Sequence, residues 1–156
     1  MPRRAEITAR EPVADAVHNS KLVSQVINRV MAKGKKGTAE KIVYDALAIA
    51  SERSGKPPVE VLEQAIKSVT PVMETRSRRV GGANYQVPVE VPARRARTLA
   101  IRWIVTFSRE RREKGMAAKL AGELMDALEQ QGGAYKRKDD LYRMAQANKA
   151  FAHYRW

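Results

Sequence analysis

Arginine side chains that could bind phosphate groups are concentrated in one part of the chain. Residues 72–112 contain ten basic and three acidic residues, and every basic residue among them is an arginine. A guanidinium group donates two parallel hydrogen bonds to a phosphate and stacks on bases, whereas a lysine ammonium group is a point charge. A solvated surface that only kept the protein soluble would not require arginine alone, so we favour phosphate binding. The ten residues are Arg76, Arg78, Arg79, Arg94, Arg95, Arg97, Arg102, Arg109, Arg111 and Arg112.

The charge of the whole chain supports a polyanionic partner. Thirty lysines and arginines against 17 acidic residues give a net charge of +13 and a sequence pI near 10.3. The excess is uneven, because residues 72–112 carry +7 whereas residues 39–69 carry −1. Such a surface attracts polyanions, and one region carries more than half of the excess positive charge.

Groups typical of enzymes and metal sites are scarce. The absence of cysteine excludes a disulfide scaffold, a thiolate zinc site and a cysteine nucleophile. His18 and His153 are far apart and have no partners at metal-ligand spacing. Glu123, Asp126 and Glu129 have the spacing of a polar helix edge rather than of an acid–base pair. We therefore expect no catalytic residue, no metal, no cofactor and no enzymatic activity.

A glycine-rich basic loop precedes the second predicted helix. Gly34-Lys35-Lys36-Gly37-Thr38 lacks the spacing and the Gly-Lys-Ser/Thr ending of a nucleotide-binding P-loop. Two ammonium groups beside the free N–H groups of a helix start could still bind a phosphate. An ordinary helix–helix turn with exposed lysines explains the sequence equally well, so both interpretations of Lys35 and Lys36 stay open.

Three aromatic residues lie among arginines or near the last residue. Tyr85, Tyr154 and Trp156 occupy positions from which rings often stack on exposed RNA bases. For Tyr85 we favour packing under the hairpin described below, and for the other two both interpretations stay open. Trp103 and Phe107 lie on an apolar helix face, so we expect them in the core.

The first 18 residues differ from the rest of the chain. They have no apolar period and combine Arg3, Arg4 and Arg10 with two prolines. We predict an extended basic arm that becomes ordered only on a partner. No long apolar run is present, so we expect neither a signal peptide nor a membrane span, and a cytoplasmic location.

Apolar residues at helical spacing predict six helices in a single domain spanning residues 1–156. Glycines and prolines set most of the expected ends. The predicted helices run from Ser20 to Gly34, from Thr38 to Gly55, from Pro57-Pro58 to Thr70-Pro71, from just after Pro92, from Met116 until before Gly132-Gly133, and from about Asp139 toward residue 150. In the fourth helix we expect Arg95, Arg102 and Arg109 to form a basic stripe opposite a buried face. That face consists of Ala96, Leu99, Ala100, Trp103, Ile104 and Phe107.

Residues 72–91 have the pattern of a β-hairpin. Tyr85, Val87, Val89 and Val91 alternate with polar residues and proline in the two-residue period of a strand. Gly81-Gly82 can adopt the positive φ angles of a tight turn between this strand and the facing segment 72–80. Two strands alone are marginally stable in water, so we predict a protruding hairpin whose base is supported by the helices.

Two long segments resemble one family of proteins. RSRRVGGANYQVPVEVPARR at residues 76–95 and AFAHYRW at residues 150–156 are similar to bacterial ribosomal small-subunit protein seven. The similarity extends in register from about residue 20 to residue 156. It implies a mainly α fold: six helices, a hairpin between the third and fourth, and a basic arm. The chain departs from the family at residues 13–15, His18, Val26 and Gln146.

The resemblance implies a function and a set of contacts. It implies a structural constituent of the small ribosomal subunit that binds 16S ribosomal RNA, nucleates assembly of the head domain and lies near the exit-site tRNA and the mRNA path. The implied partners are 16S RNA, exit-site tRNA, mRNA and ribosomal small-subunit proteins nine and eleven, with no membrane. The implied RNA-binding residues are Arg3, Arg4, Arg10, Lys35, Lys36, Arg76, Arg78, Arg79, Arg94, Arg95 and Arg102. The implied tRNA-proximal residues are Val80, Gly81, Gly82, Ala83, Asn84, Tyr154, Arg155 and Trp156.

Two other functions remain to be distinguished from this one. A histone-like DNA-compacting protein is also small, basic and helical, and its hairpin could enter a minor groove. An enzyme acting on RNA is the more remote alternative. Composition alone separates none of these from an acidic protein or an anionic membrane as the partner.

Overall fold

The computed structural model of the chain describes residues 11–154. The arm residues Arg3, Arg4 and Arg10 and the terminal residues Arg155 and Trp156 lie outside this range. The described part contains six α-helices, a two-stranded hairpin between the third and fourth helices, and one 3-10 helix. The predicted fold class is therefore confirmed. The elements are α1 Lys21–Val30, α2 Lys36–Ser54, α3 Pro58–Val69, β1 Met73–Val80, β2 Ala83–Glu90, α4 Ala93–Glu110, α5 Met116–Leu128, α6 Gly132–Ala147 and the 3-10 helix Lys149–Tyr154.

The early helix ends follow glycine and proline with one exception. Gly55 adopts a left-handed φ of 66° and ends α2, and Pro58 begins α3, as predicted. The prediction that α1 continues to Gly34 is wrong, because the backbone leaves the helical region at Met31. Gly34 instead forms the turn before α2 with a φ of 75°. Helix α2 starts at Lys36, two residues before the predicted start.

The predicted start of the sixth helix at Asp139 is also wrong. Helix α6 begins at Gly132, and Asp139 lies inside it, paired with Arg143 at 2.7 Å. The early start is stabilised from another helix, because the carboxylate of Glu123 in α5 accepts a hydrogen bond of 2.9 Å from the N–H of Ala134. A negative charge at a helix N-terminus is favourable, and here it satisfies a buried donor.

The hydrophobic core lies among α1 to α5, with a contribution from the start of α6. Its largest fully buried apolar side chains include Ile27, Leu47, Leu62, Leu120 and Leu124. The buried face of α4 is rotated from the predicted one. Its fully buried residues are Ala96, Ala100, Ile101, Ile104, Val105 and Ser108, whereas Leu99, Trp103 and Phe107 are half-buried. Trp103 and Phe107 nevertheless pack against the core, as expected.

The hairpin forms with the predicted turn. Gly81 and Gly82 have φ angles of 55° and 89°, and their neighbours Val80 and Ala83 pair across the strands. Two successive positive φ angles suit a tight turn that matches the twist of the flanking strands. The hairpin is supported by helix contacts as expected, because both strands contact α6. The 3-10 helix also contacts β2 at Tyr85, which lies nearer the turn than the base. Val87 in the middle of β2 is completely buried. None of the helices in residues 11–154 is both long and apolar enough to cross a bilayer.

Candidate nucleic-acid interface

The three hairpin arginines do not share one face. Cross-strand partners point to the same side of a sheet, and Arg76 pairs with Val87 while Arg78 pairs with Tyr85. These four residues lie on the face that packs toward the body of the protein. Arg79 lies on the opposite face and is exposed. The hairpin therefore presents guanidinium groups on both sides, which a period of two already implies for positions 76, 78 and 79.

A buried carboxylate joins the hairpin to α4. Glu74 in β1 is only 5% exposed. Arg76 donates from its Nε to Glu74 Oε1 at 2.8 Å, and Arg95 donates from its Nε to Glu74 Oε2 at 2.8 Å. Burial raises the pKa of Glu74, but the hydrogen bonds and charges of Arg95 and Arg76 outweigh it and leave the pKa below its ordinary value. Glu74 was not among the residues assigned from the sequence, although it is an acidic residue at an inward-facing position of the strand.

The predicted arginines of α4 lie on its exposed surface. Arg94, Arg95 and Arg102 are all exposed. The predicted stripe of Arg95, Arg102 and Arg109 is exposed along its length, although Arg109 also donates from its Nη2 to the carbonyl of Val30 at 3.3 Å. Residues seven apart on a helix lie on one face, which explains the alignment.

A groove between α1 and the start of α4 brings Arg94, one of the implied RNA-binding residues, together with three basic residues outside that set. The groove has a volume of about 900 Å³. Its basic residues are Lys21 and Arg29 of α1 and Arg94 and Arg97 of α4, with Gln25 and Asn28 between them. The only acidic residue lining it, within the described part of the chain, is Glu11, which pairs with Lys21 at 3.0 Å. The spacing of the polar residues on α1 could have indicated this face.

Lys35 and Lys36 are exposed, but their backbone N–H groups already donate hydrogen bonds within the turn. Lys36 N–H donates to the carbonyl of Gly34 at 2.9 Å, and Lys35 N–H donates to that of Ala32 at 3.1 Å. The ammonium group of Lys36 lies 3.4 Å from Glu40. The N–H groups of Lys35 and Lys36 are thus used within the turn, and the earlier choice between a phosphate site and a plain turn stays open.

Aromatic rings connect the hairpin to the 3-10 helix. The ring of Tyr85 lies 4.9 Å from that of Phe151 and 5.6 Å from that of Tyr154, between centroids. His153 lies 4.0 Å from Tyr154. Packing, the favoured interpretation for Tyr85, agrees with these contacts, and its partners are in the 3-10 helix. Tyr154 packs in the same cluster.

The last residues of the predicted 1–18 arm are anchored to α2. Asp15 is buried, and it accepts hydrogen bonds from the hydroxyl of Tyr44 at 2.5 Å and from the N–H groups of Val17 and His18 at 3.1 and 3.0 Å. The hydrogen bond to Asp15 raises the pKa of Tyr44 to about 12. The prediction that the arm becomes ordered only on a partner is therefore wrong for residues 15–18, because the long-range hydrogen bond to Tyr44 holds them against the folded domain.

One sequence-based assignment of acidic residues is wrong. Glu123 is 1% exposed and is not part of a solvent-facing helix edge. It accepts from Arg111 Nη1 at 2.9 Å, and the same guanidinium contacts Asp126 at 2.6 Å and Glu113 at 2.7 Å. An arginine from the loop after α4 makes it possible to bury this carboxylate, because a buried charge must be paired. Within residues 11–154, no cluster of three or more acidic or histidine side chains could hold a metal ion.

The comparisons with known proteins agree with one another. A family model described as ribosomal protein S7p/S5e matches residues 2–149. A small ribosomal subunit protein uS7 from Desulforudis audaxviator is 58% identical over 156 residues, which is all of both chains. Proteins of the same name from Heliobacterium modesticaldum and Rubrobacter xylanophilus are 56% and 58% identical, again over the full length of both chains. The chain belongs to the ribosomal protein S7p/S5e family.

Membership in the S7p/S5e family confirms the resemblance inferred from the two motifs. The arginine-rich motif at residues 76–95 lies inside the matched region. The motif at residues 150–156 follows the end of that region, but the full-length alignments with the uS7 proteins include it. The segments that form the hairpin, α4 and the 3-10 helix thus all lie within the full-length alignments with the uS7 proteins.

Proposed function

We propose that this chain is a structural constituent of the small ribosomal subunit that binds 16S ribosomal RNA as a primary binder and nucleates assembly of the head domain. The observation that carries the proposal is the arrangement around Glu74, where arginines of the hairpin and α4 meet beside the basic groove of α1. The names of the uS7 relatives supply the ribosomal context. A family of ribosomal proteins also supports a structural rather than an enzymatic role.

The proposed RNA contacts include every residue implied by the sequence. They extend from the arm through the loop lysines to the hairpin and α4. The proposed set is Arg3, Arg4, Arg10, Lys35, Lys36, Arg76, Arg78, Arg79, Arg94, Arg95 and Arg102, to which we add Lys21, Arg29 and Arg97 of the groove. We expect recognition of RNA shape and phosphate positions, because side chains cannot read the deep groove of an RNA helix.

The hairpin tip is the proposed approach to the exit-site tRNA and the mRNA path at the subunit interface. Residues 80–84 form a tip in which two glycines leave the backbone uncovered, so another backbone can come close. Tyr154, Arg155 and Trp156 are the second proposed tRNA-proximal group. Ribosomal small-subunit proteins nine and eleven are the proposed protein partners, and the single domain is proposed to span residues 1–156.

A direct binding comparison tests the RNA assignment. The purified chain is titrated against a folded head-domain RNA and against duplex DNA of equal length, at the same moderate salt concentration. We expect a clear preference for the RNA. A DNA-compacting protein would instead favour the duplex. Equal affinities would refute the ribosomal assignment. RNA turnover that one carboxylate substitution abolishes would support the enzyme alternative.

A charge-matched variant pair tests the hairpin. Replacing Arg76, Arg78 and Arg79 together with glutamine should reduce the slope of log affinity against log salt by about two to three, since each phosphate contact contributes about 0.9. The control replaces three basic residues of the near-neutral segment, Lys41, Arg53 and Lys67, and should leave the slope unchanged. Because Arg76 also pairs with buried Glu74, the folded fraction is measured first.

An unchanged slope in the hairpin variant would remove these arginines from the phosphate contacts. A fall of equal size in the control variant would show that total charge, and not position, determines binding.

A further inference from the structure

The contacts of Glu74 have a feature that stability alone does not require. The two arginines that bind it come from different elements, β1 and the first turn of α4, 19 positions apart in the chain between Arg76 and Arg95. Each uses its Nε, and each side chain remains about half exposed, at 46% and 51%. Only 7% of the side-chain surface of Glu74 is exposed, whereas the two arginine side chains face solvent.

Two guanidinium groups this close repel each other unless an anion lies between them. Each Nε lies 2.8 Å from a different oxygen of one carboxylate, so the two groups are held by a common anion. A buried carboxylate is costly unless it is paired, and here both oxygens are paired. The cluster therefore has two fixed cations and a net charge of +1, with its negative member away from solvent.

We propose that Glu74 is a positioning residue for RNA binding: it holds Arg76 and Arg95 side by side so that the hairpin and α4 bind the same RNA phosphate, or two adjacent ones. This inference rests on the proposed RNA-binding function and specifies how one part of that surface works. The guanidinium edges not used by Glu74 donate to phosphate oxygens, because the planar fork of arginine can bond on two sides. Pre-organised donors lose less side-chain entropy when RNA binds.

The test separates positioning from net charge, because the two predict opposite signs. Glu74→Gln keeps the side-chain size and removes one negative charge, so simple attraction to a polyanion would tighten binding. Positioning predicts that affinity for the head-domain RNA falls about tenfold, the value of one charge-assisted hydrogen bond. Glu110→Gln, an exposed residue of α4, is the control with the same charge change and should bind within about twofold of the unmodified chain.

A second readout locates the lost contacts. Phosphate-ethylation interference identifies the RNA phosphates whose modification blocks binding. If Glu74 acts through the two arginines, then Glu74→Gln, Arg76→Gln and Arg95→Gln each abolish interference at the same one or two phosphates. A purely structural role would weaken the whole pattern evenly. Affinity of Glu74→Gln equal to or above that of the unmodified chain, or loss at unrelated phosphates, would overturn the proposal.

Failure to fold leaves the proposal testable. If Glu74→Gln does not give the far-UV circular dichroism of the unmodified chain, the two arginine variants and their combination form a double-mutant cycle for RNA affinity. Coupled losses support joint positioning of the two arginines, and additive losses overturn the proposal. The proposed function fails separately, since it requires only that the unmodified chain prefer the folded RNA over duplex DNA.

Discussion

Replacing buried Glu123 with alanine should reduce the stability of the domain far more than the same change at exposed Glu129. Glu123 lies in α5, but its carboxylate joins two other parts of the chain. It accepts from Arg111 in the loop after α4 and from the N–H of Ala134 in the first turn of α6. The substitution therefore loosens three segments at once.

The magnitude follows from what each partner loses. The buried N–H of Ala134 loses its acceptor, which costs about 1–3 kcal/mol. Arg111 keeps Asp126 and Glu113, so the penalty of an unpaired buried cation, about 3–5 kcal/mol, is largely avoided. The space left by the carboxylate adds about 1–2 kcal/mol. We expect a total loss of about 3–4 kcal/mol in the free energy of unfolding, equivalent to roughly 10 °C in Tm for a domain of this size.

Urea denaturation followed by far-UV circular dichroism measures this loss. Glu123→Gln keeps an acceptor for Ala134 and the side-chain volume, so it should lose only about 1–2 kcal/mol. Glu129→Ala, an exposed change just after α5, is the control and should stay within about 0.5 kcal/mol of the unmodified chain. A loss below about 1 kcal/mol for Glu123→Ala would refute the reasoning that the carboxylate supports the start of α6.

Two further substitutions test close packing and an unusual tyrosine. Gly133→Ala would place a Cβ 2.6 Å from the Phe107 ring, so urea denaturation should show a loss of about 1–3 kcal/mol in the free energy of unfolding. The control is Gly37→Ala in α2, whose Cβ would meet nothing within 4 Å, and it should be neutral or stabilising. Equal effects of the two substitutions would contradict the packing argument. Asp15→Asn should lower the pKa of Tyr44 from about 12 toward 10 in an alkaline absorbance titration. The pKa of Tyr44 is raised by folding, so its hydrogen bond stabilises the fold fully below pH 10 and is lost as the pH rises through about 12. An unchanged titration of Tyr44 would show that Asp15 is not the cause.

The local parts of the fold could be predicted from the sequence. The alternation from Tyr85 to Val91 and the glycine pair at the turn are short-range signals, and the hairpin formed where they predicted it. Gly55 and Pro58 set helix ends for the same reason, because their backbone preferences act within one turn. The family was recognised from contiguous motifs, which also need no knowledge of tertiary contacts.

The errors arise where distant residues decide. The fifth helix ends before Gly132 and Gly133, as predicted, but the sixth helix begins at Gly132 and not at Asp139. The carboxylate of Glu123 supports the helix start there, and Phe107 packs against Gly133. Glu123 itself resembled a solvent-facing residue because Arg111, its partner, comes from another element. The inward position of Glu74 follows from the period of the strand, but its pairing with Arg95 could not be predicted because Arg95 comes from another element.

The order of elements along the chain has a consequence for synthesis. The hairpin leaves the translating ribosome well before residues 149–154, which supply the rings that contact Tyr85. During that interval the two strands are a nascent ribbon without their aromatic neighbours, and an isolated ribbon of two strands is only marginally stable. The projecting arginine-bearing segment thus reaches its final support late, after the helices that precede it have already been made.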